Sequence, residues 1–154
     1  MTTIGILSDN HGDWSSNIEG ALAGVDAIIH AGDIGPYQII SKMESIAPTT
    51  AVLGNTDGDL PIKQNEVIVL ESKKFFVQHI VNPHRLGESL RIRLEHIKPD
   101  VVVFGHTHKP FCEKIGDILF LNPGSVTQPR DQTSAGLVRF VVDGEKLNPE
   151  FVIL

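Results

Sequence analysis

The tightest constraint on this chain is where its short apolar runs stop. Thr3–Leu7 ends at Asp9-Asn10-His11-Gly12-Asp13, and Val25–His30 is closed by Gly32-Asp33. Thr49–Leu53 is closed by Gly54-Asn55-Thr56-Asp57, Phe75–His79 ends on its own histidine, and Val101–Phe104 runs into Gly105-His106-Thr107-His108. Apolar runs of this length alternating with helical patterns read as βα units. Where such strands lie parallel, the segments that follow them converge on one rim of the sheet. The sequence therefore predicts that Asp9, His11, Asp33, Asn55, His79, His106 and His108 meet in one place.

The remaining pattern fills in an α+β chain. Ser15–Leu22 reads as a helix ending near Gly24, and Pro36 suits the first turn of a second helix that runs to about Ala47 before Pro48. Glu88–Ile97 reads as a third, with Leu90, Leu94 and Ile97 on one face. Hairpins are expected around Ser72-Lys73-Lys74, Gly116-Asp117 and Asp143-Gly144. Val101–Phe104 is apolar throughout, as in a strand buried on both faces. The economical arrangement is one domain over residues 1–154, two packed sheets with helices outside.

Composition narrows the function. Thirteen Lys+Arg against nineteen Asp+Glu give a net charge of −6, which supplies no overall pull toward nucleic acid or anionic membranes. Cys112 is the only cysteine, so an intrachain disulfide and a cysteine-rich zinc module are both excluded; it reads as a small buried hydrophobe. No apolar run approaches the roughly 20 residues of a membrane-spanning helix. The start of the chain lacks a basic leader region and reads as a strand, which points to the cytoplasm.

The converging side chains are two carboxylates, one amide and four imidazoles, a donor set suited to Mn, Fe, Zn, Ni or Co. Seven donors exceed what one first-row ion takes but suit two ions sharing a carboxylate. In Asp9-x-His11 and His106-x-His108, donors two apart on extended backbone would project to the same side. Taken alone, Asp9-Asn10-His11-Gly12 is also an ordinary turn, as is Asn122-Pro123-Gly124-Ser125.

The ordered set Asp9-x-His11, Gly32-Asp33, Gly54-Asn55-x-Asp57, His79 and Gly105-His106-x-His108 resembles the calcineurin-like metallophosphoesterase superfamily. Within it the chain is most similar to the small, capless YfcE-type phosphodiesterases, whose Asn-Pro-Gly-Ser segment stands here at 122–125. The resemblance implies a four-layer αββα sandwich of two mixed sheets flanked by helices. It implies one metal on Asp9, His11, Asp33 and His108 and a second on Asp33, Asn55, His79 and His106, with Asp33 bridging and manganese foremost. The expected chemistry is in-line attack of a metal-bridging hydroxide on a small phosphodiester, with Asp33 and Asn55 as catalytic residues. Many members carry His after the Gly-Asn pair; Thr56 stands here. Relatives continue the lone ligand as His-Gly-His; this chain reads His79-Ile80-Val81.

Arg130, Arg85 and His84 are candidate substrate contacts, Arg130 equally a partner in a surface ion pair. Asp57 could orient an imidazole or simply form its turn, and His30 could orient a ligand or be structural. Two alternatives stand beside the phosphodiesterase: a phosphomonoesterase or nucleotidase, and a scaffold like the retromer subunit of this fold, with a relic metal site. Nucleic acid is disfavoured as a substrate, and homo-oligomerisation is left open.

Overall fold

In the computed structural model, which describes residues 1–154, two five-stranded sheets lie face to face with helices outside. The first sheet has the order β10-β9-β1-β2-β3, built from β1 (Thr2–Leu7), β2 (Ala27–His30), β3 (Thr49–Ala51), β9 (Gly136–Asp143) and β10 (Lys146–Ile153). The second has the order β4-β5-β6-β8-β7, from β4 (Asn65–Leu70), β5 (Lys73–Gln78), β6 (Val101–Val103), β7 (Pro110–Ile115) and β8 (Ile118–Pro123). Strands β1, β2 and β3 run parallel, as do β5, β6 and β8, while hairpin partners close each sheet antiparallel. Both sheets are therefore mixed, as the resemblance implied.

The layering follows from the two-residue period of strands. Ile4 and Ile6 of β1 face inward and meet Phe75 and Val77 of β5 and Val101 and Val103 of β6 in the core between the sheets. The alternate residues face outward. Leu7 and Ile28 pack on Ile18 of α1 (Ser16–Ala21) and on Ile39, Ile40 and Met43 of α2 (Tyr37–Glu44). Phe76 and Val102 pack with Leu94 of α3 (Glu88–Ile97). Burial on both faces is why the strand sequences are nearly continuous apolar runs.

Several local expectations shift. The β4–β5 turn is tighter than the sequence suggested. Leu70 pairs with Lys73 across a two-residue turn at Glu71-Ser72, both at positive φ, which twists with the strands. Lys73 is thus a strand residue, paired through Nζ to Glu145. Strand β3 stops at Ala51, short of Leu53. Asn122 and Pro123 extend β8 in register with Phe111 and Pro110 and do not form a turn. Cys112 is exposed, not buried: it pairs with the buried Leu121 of β8, but β7 is the edge of its sheet and has no strand on its far side.

Phe75 and Phe140 join the two sheets edge to face, with centroids 5.5 Å apart and neither ring exposed. Replacing Phe75 with Ala should lower unfolding stability by about 3–5 kcal/mol. Urea denaturation would read this as a lower midpoint at unchanged slope; a loss under about 1 kcal/mol would mean the sheets are not sealed at this contact.

Candidate metal centre

Every parallel strand sends its C-terminal end to the same rim. Asp9 and His11 follow β1, Asp33 follows β2, Asn55 follows β3, His79 follows β5, and His106 and His108 follow β6. The structure brings all seven together. His11 Nε2 lies 3.0 Å from His108 Nε2 and 3.6 Å from Asp33 Oδ2. His79 Nε2 lies 3.2 Å from Asp33 Oδ2 and 3.0 Å from Asn55 Oδ1, which His106 Nδ1 approaches to 3.1 Å.

The route to that convergence is not the expected one. Asp9, His11, Asp33, His106 and His108 all adopt left-handed backbone, with φ between 49° and 73°. The paired donors are gathered by consecutive tight turns and not by extended segments. The turns then pack so closely that a Cβ on Gly54 would lie 2.1 Å from Asp33 Oδ1, and one on Gly105 would lie 2.1 Å from Ser8 Oγ. Glycine at both positions is required by close approach, not by a special φ.

Asp9 occupies the middle. Its Oδ2 accepts hydrogen bonds from Ser8 Oγ and the His106 amide. Its Oδ1 is buried without any hydrogen-bond partner, facing the Nε2 atoms of His108 at 3.4 Å, His11 at 3.7 Å and His79 at 3.8 Å. Asp9 therefore borders both halves of the cluster, one with His11 and His108 and one with Asp33 and His79. The imidazoles are oriented from behind: Nδ1 of His79 donates to Ala31 O and Nδ1 of His108 to Gln128 O, each at 2.7 Å. In the neutral rings this leaves Nε2 as a lone pair aimed at the centre. A buried carboxylate oxygen and imidazole lone pairs directed at one another fit a divalent cation of the Mn, Fe, Zn, Ni or Co type.

Supporting residues that the sequence left ambiguous now have specific partners. Asp57 touches no imidazole. Its carboxylate accepts from the amides of Ile34, Gly35 and Gly54 and so clamps the Asp33 turn to the Asn55 turn. Thr56 donates to Asp33 Oδ1 through both its amide and its hydroxyl, at 2.9 and 2.8 Å. Burial pushes the Asp33 carboxyl up, but these two hydrogen bonds, with His79 and His11 nearby, outweigh it and hold its pKa below the usual carboxylate value. Asn122 Nδ2 donates to Gly105 O and Thr107 Oγ1, and Ser125 Oγ donates to Asp9 O. The 122–125 segment thus ties the His106–His108 turn to the Asp9 turn. The resemblance singles out the 122–125 segment, but no spacing signal marks Ser8 or Thr127; a hydroxyl that bonds the Asp9 turn is visible only once its partner is in place.

The three candidate substrate contacts stand apart from the cluster. His84 pairs with Glu113 at 3.3 Å and rests against the Phe111 ring. Arg85 lines a separate cleft. Arg130 is exposed in the loop that carries Gln128, and its guanidinium pairs with none of the seven. The 80–87 segment does not roof the rim, because Val81 and Leu86 pack on the outer face of the second sheet.

His30, fully buried, bonds Asn10 Oδ1 through Nε2 and accepts the Gly32 amide at Nδ1, linking the Asp9 and Asp33 turns. Burial, reinforced by His79, lowers its pKa from 6.5 to about 3. Above pH 6.5 this carries no penalty. Below it, the unfolded chain takes a proton that the folded chain refuses, so stability falls by about 1.4 kcal/mol per pH unit toward pH 3. In metal-stripped protein, His30→Gln should flatten the stability loss between pH 6.5 and 5 by about 2 kcal/mol. Equal slopes in urea titrations of variant and parent would remove this assignment.

Comparison with known proteins agrees with the fold and the family resemblance. The calcineurin-like phosphoesterase superfamily domain matches residues 2–145. A probable metallophosphoesterase of Methanothermobacter thermautotrophicus is 36% identical over 157 residues, covering 97% of this chain and 91% of its own. A phosphodiesterase of Methanocaldococcus jannaschii is 31% identical, covering 79% and 82%. The phosphodiesterase YfcE of Escherichia coli is 32% identical over 62% of this chain and 54% of its own. Among solved structures, a predicted phosphoesterase of Streptococcus pneumoniae superposes with a TM-score of 0.80 at 27% identity, covering 99% and 89%. Vps29 of Entamoeba histolytica, complexed with zinc, superposes at 0.77 and 19% identity over 98% of each chain, a likeness of fold. The sequence motifs, the shared sheets and the convergent donor set all lead to one assignment: this chain belongs to the calcineurin-like phosphoesterase superfamily.

Proposed function

We propose that this protein is a phosphodiesterase that works with two divalent ions, manganese foremost and nickel, iron, cobalt or zinc as alternatives. One observation carries the reading: the buried, unpartnered Asp9 Oδ1 faces three imidazole Nε2 atoms. Asp9, His11, Asp33 and His108 would hold one ion, and Asp33, Asn55, His79 and His106 the other, with Asp33 shared. Such ions, when bound, supply an activated water for in-line attack at neutral pH and neutralise charge on the phosphoryl oxygens.

The chain's own residues set what that chemistry can act on. Thr56 commits its hydroxyl to Asp33 Oδ1, which leaves Oδ2 turned toward His11 and His79. No imidazole stands at position 56 to protonate a departing oxygen, so esters of acidic alcohols should react best. Two clefts flank the cluster, one of about 540 Å³ beside Asn55 and His79 and one of about 470 Å³ beside His11 and Thr56. They offer room for the two arms of a diester. Neither is lined by Lys or Arg, and Asp57 and Asp59 border them. The second negative charge of a monoester would find no side-chain cation there, which supports the diester reading, as do the names of the Methanocaldococcus and Escherichia relatives.

Metal-stripped protein titrated with Mn²⁺ should hydrolyse bis-p-nitrophenyl phosphate in step with uptake of two ions per chain. Asp33→Asn should cut turnover by roughly a hundredfold or more while leaving the fold intact. Turnover indifferent to stripping would overturn the reading. Ion uptake without turnover under Mn²⁺, Ni²⁺, Co²⁺ or Zn²⁺ would favour a phosphomonoesterase or an interaction scaffold with a relic site.

Thr56 provides a second check. Thr56→Ser keeps the hydroxyl donor to Asp33 and should retain metal affinity. Thr56→Val loses it and should weaken binding by about tenfold, in the range seen when groups that support metal ligands are removed. Calorimetric metal titration reads both, and equal affinities would deny the Thr56 hydroxyl any part in holding the carboxylate.

A further inference from the structure

The cleft beside His79 adjoins another one. Its lining residues Gln78 and Ile80 also line a second cleft of about 500 Å³, which wraps the end of β5 toward the start of α3. This second cleft differs in charge from those at the centre. Arg85 and Arg93 line it, with Asn65, Asn82 and Ser89 as neutral polar neighbours, and no carboxylate does. On this chain of net charge −6, four cations sit in ion pairs: Lys63 with Glu66, Lys73 with Glu145, Arg91 with Glu95 and Lys109 with Asp131. Arg85 and Arg93 have no such partner, and the Arg93 guanidinium lies over the Phe76 ring, 5.6 Å from its centroid.

Resting on the phosphodiesterase reading, we propose that Arg85 and Arg93 form a subsite for a second phosphate group, on the arm of the diester that leaves the centre past Gln78 and Ile80. A planar guanidinium presents paired N–H donors that match phosphate oxygens. Arginines without a carboxylate partner, in a cleft that shares Gln78 and Ile80 with a cation-free reaction site, are placed to read a phosphate remote from the scissile one. The substrate class is then a phosphodiester with a further phosphate on one arm, as in a nucleotide bearing a terminal phosphate or a short oligonucleotide. The centre itself remains indifferent to that second charge.

The test pairs substrates that differ only in this feature: thymidine 5′-(p-nitrophenyl phosphate) with a free 3′-hydroxyl, the same compound bearing a 3′-phosphate, and its 3′-extended dinucleotide. Alongside hydrolysis, calorimetry compares binding of thymidine 5′-phosphate and thymidine 3′,5′-bisphosphate to the Mn²⁺-loaded protein. The protein should favour at least one compound carrying the extra phosphate by about tenfold, in kcat/KM and in affinity. That ratio should fall toward one in Arg85→Gln and Arg93→Gln and recover in part in Arg93→Lys. A ratio near one in the parent protein, or one unchanged by both glutamine variants, overturns the subsite. If no diester is hydrolysed but the arginine-dependent binding preference stands, the subsite holds and the phosphodiesterase reading fails.

Discussion

Burying the Asp9 carboxylate is the act on which the rest of this rim depends. A carboxylate removed from water is costly unless every lone pair is met. Ser8 Oγ and the His106 amide meet Oδ2, and the backbone carbonyl of Asp9 takes the hydroxyls of Ser125 and Thr127. Those four contacts draw on the turns after β1 and β6 and the segment after β8, so holding one residue, by side chain and backbone together, fixes three loops from two different sheets. Only Oδ1 is left over, and it is the atom around which three imidazoles gather. The fold stabilises Asp9 everywhere except where a cation would.

The same logic extends outward through residues that touch no candidate ion. Asp57 holds the Asp33 turn against the Asn55 turn by taking three backbone amides. Asn122 fixes the His106–His108 turn, and His30 joins the turns after β1 and β2. Each satisfies backbone donors or acceptors that strand ends leave open, so the hydrogen bonding that loops require anyway is what positions the donors. Precision at the centre follows from the accounting of buried polar groups around it.

How much of this could be read from the sequence divides along physical lines. The strands were legible because stacking two sheets between helices buries both faces, which writes continuous apolar runs such as Val101–Phe104. The convergence of the seven side chains on one rim was legible because each lies at or just after the end of such a run. What failed depended on partners remote in sequence. Asn122 and Pro123 look like a turn until β7 pairs with them, and Cys112 looks buried until β7 is known to be an edge. The turn between β4 and β5 slid by a residue because Glu71 and Ser72 adopt positive φ without a glycine to announce it. Asp57 was ambiguous between a turn former and a support for an imidazole, and its true partners, the Ile34 and Gly35 amides, lie more than 20 residues away.

The left-handed backbone at five of the seven donors explains why those residue types can serve two ends. Aspartate and histidine, with asparagine, are the non-glycine residues most often found in that region. They are also the side chains that bind hard-to-borderline divalent ions. A rim built from tight turns therefore needs no glycine at the donor itself and can spend its glycines next door, at Gly54 and Gly105, where chains must nearly touch. Left-handed backbone at Asp9, His11, Asp33, His106 and His108 costs on the order of 1 kcal/mol each. Hydrogen bonds within the turns offset part of it, Asp9 N to Gly32 O and His11 N to Asp33 O among them. Cations held by these five side chains, as proposed, would offset more of that cost.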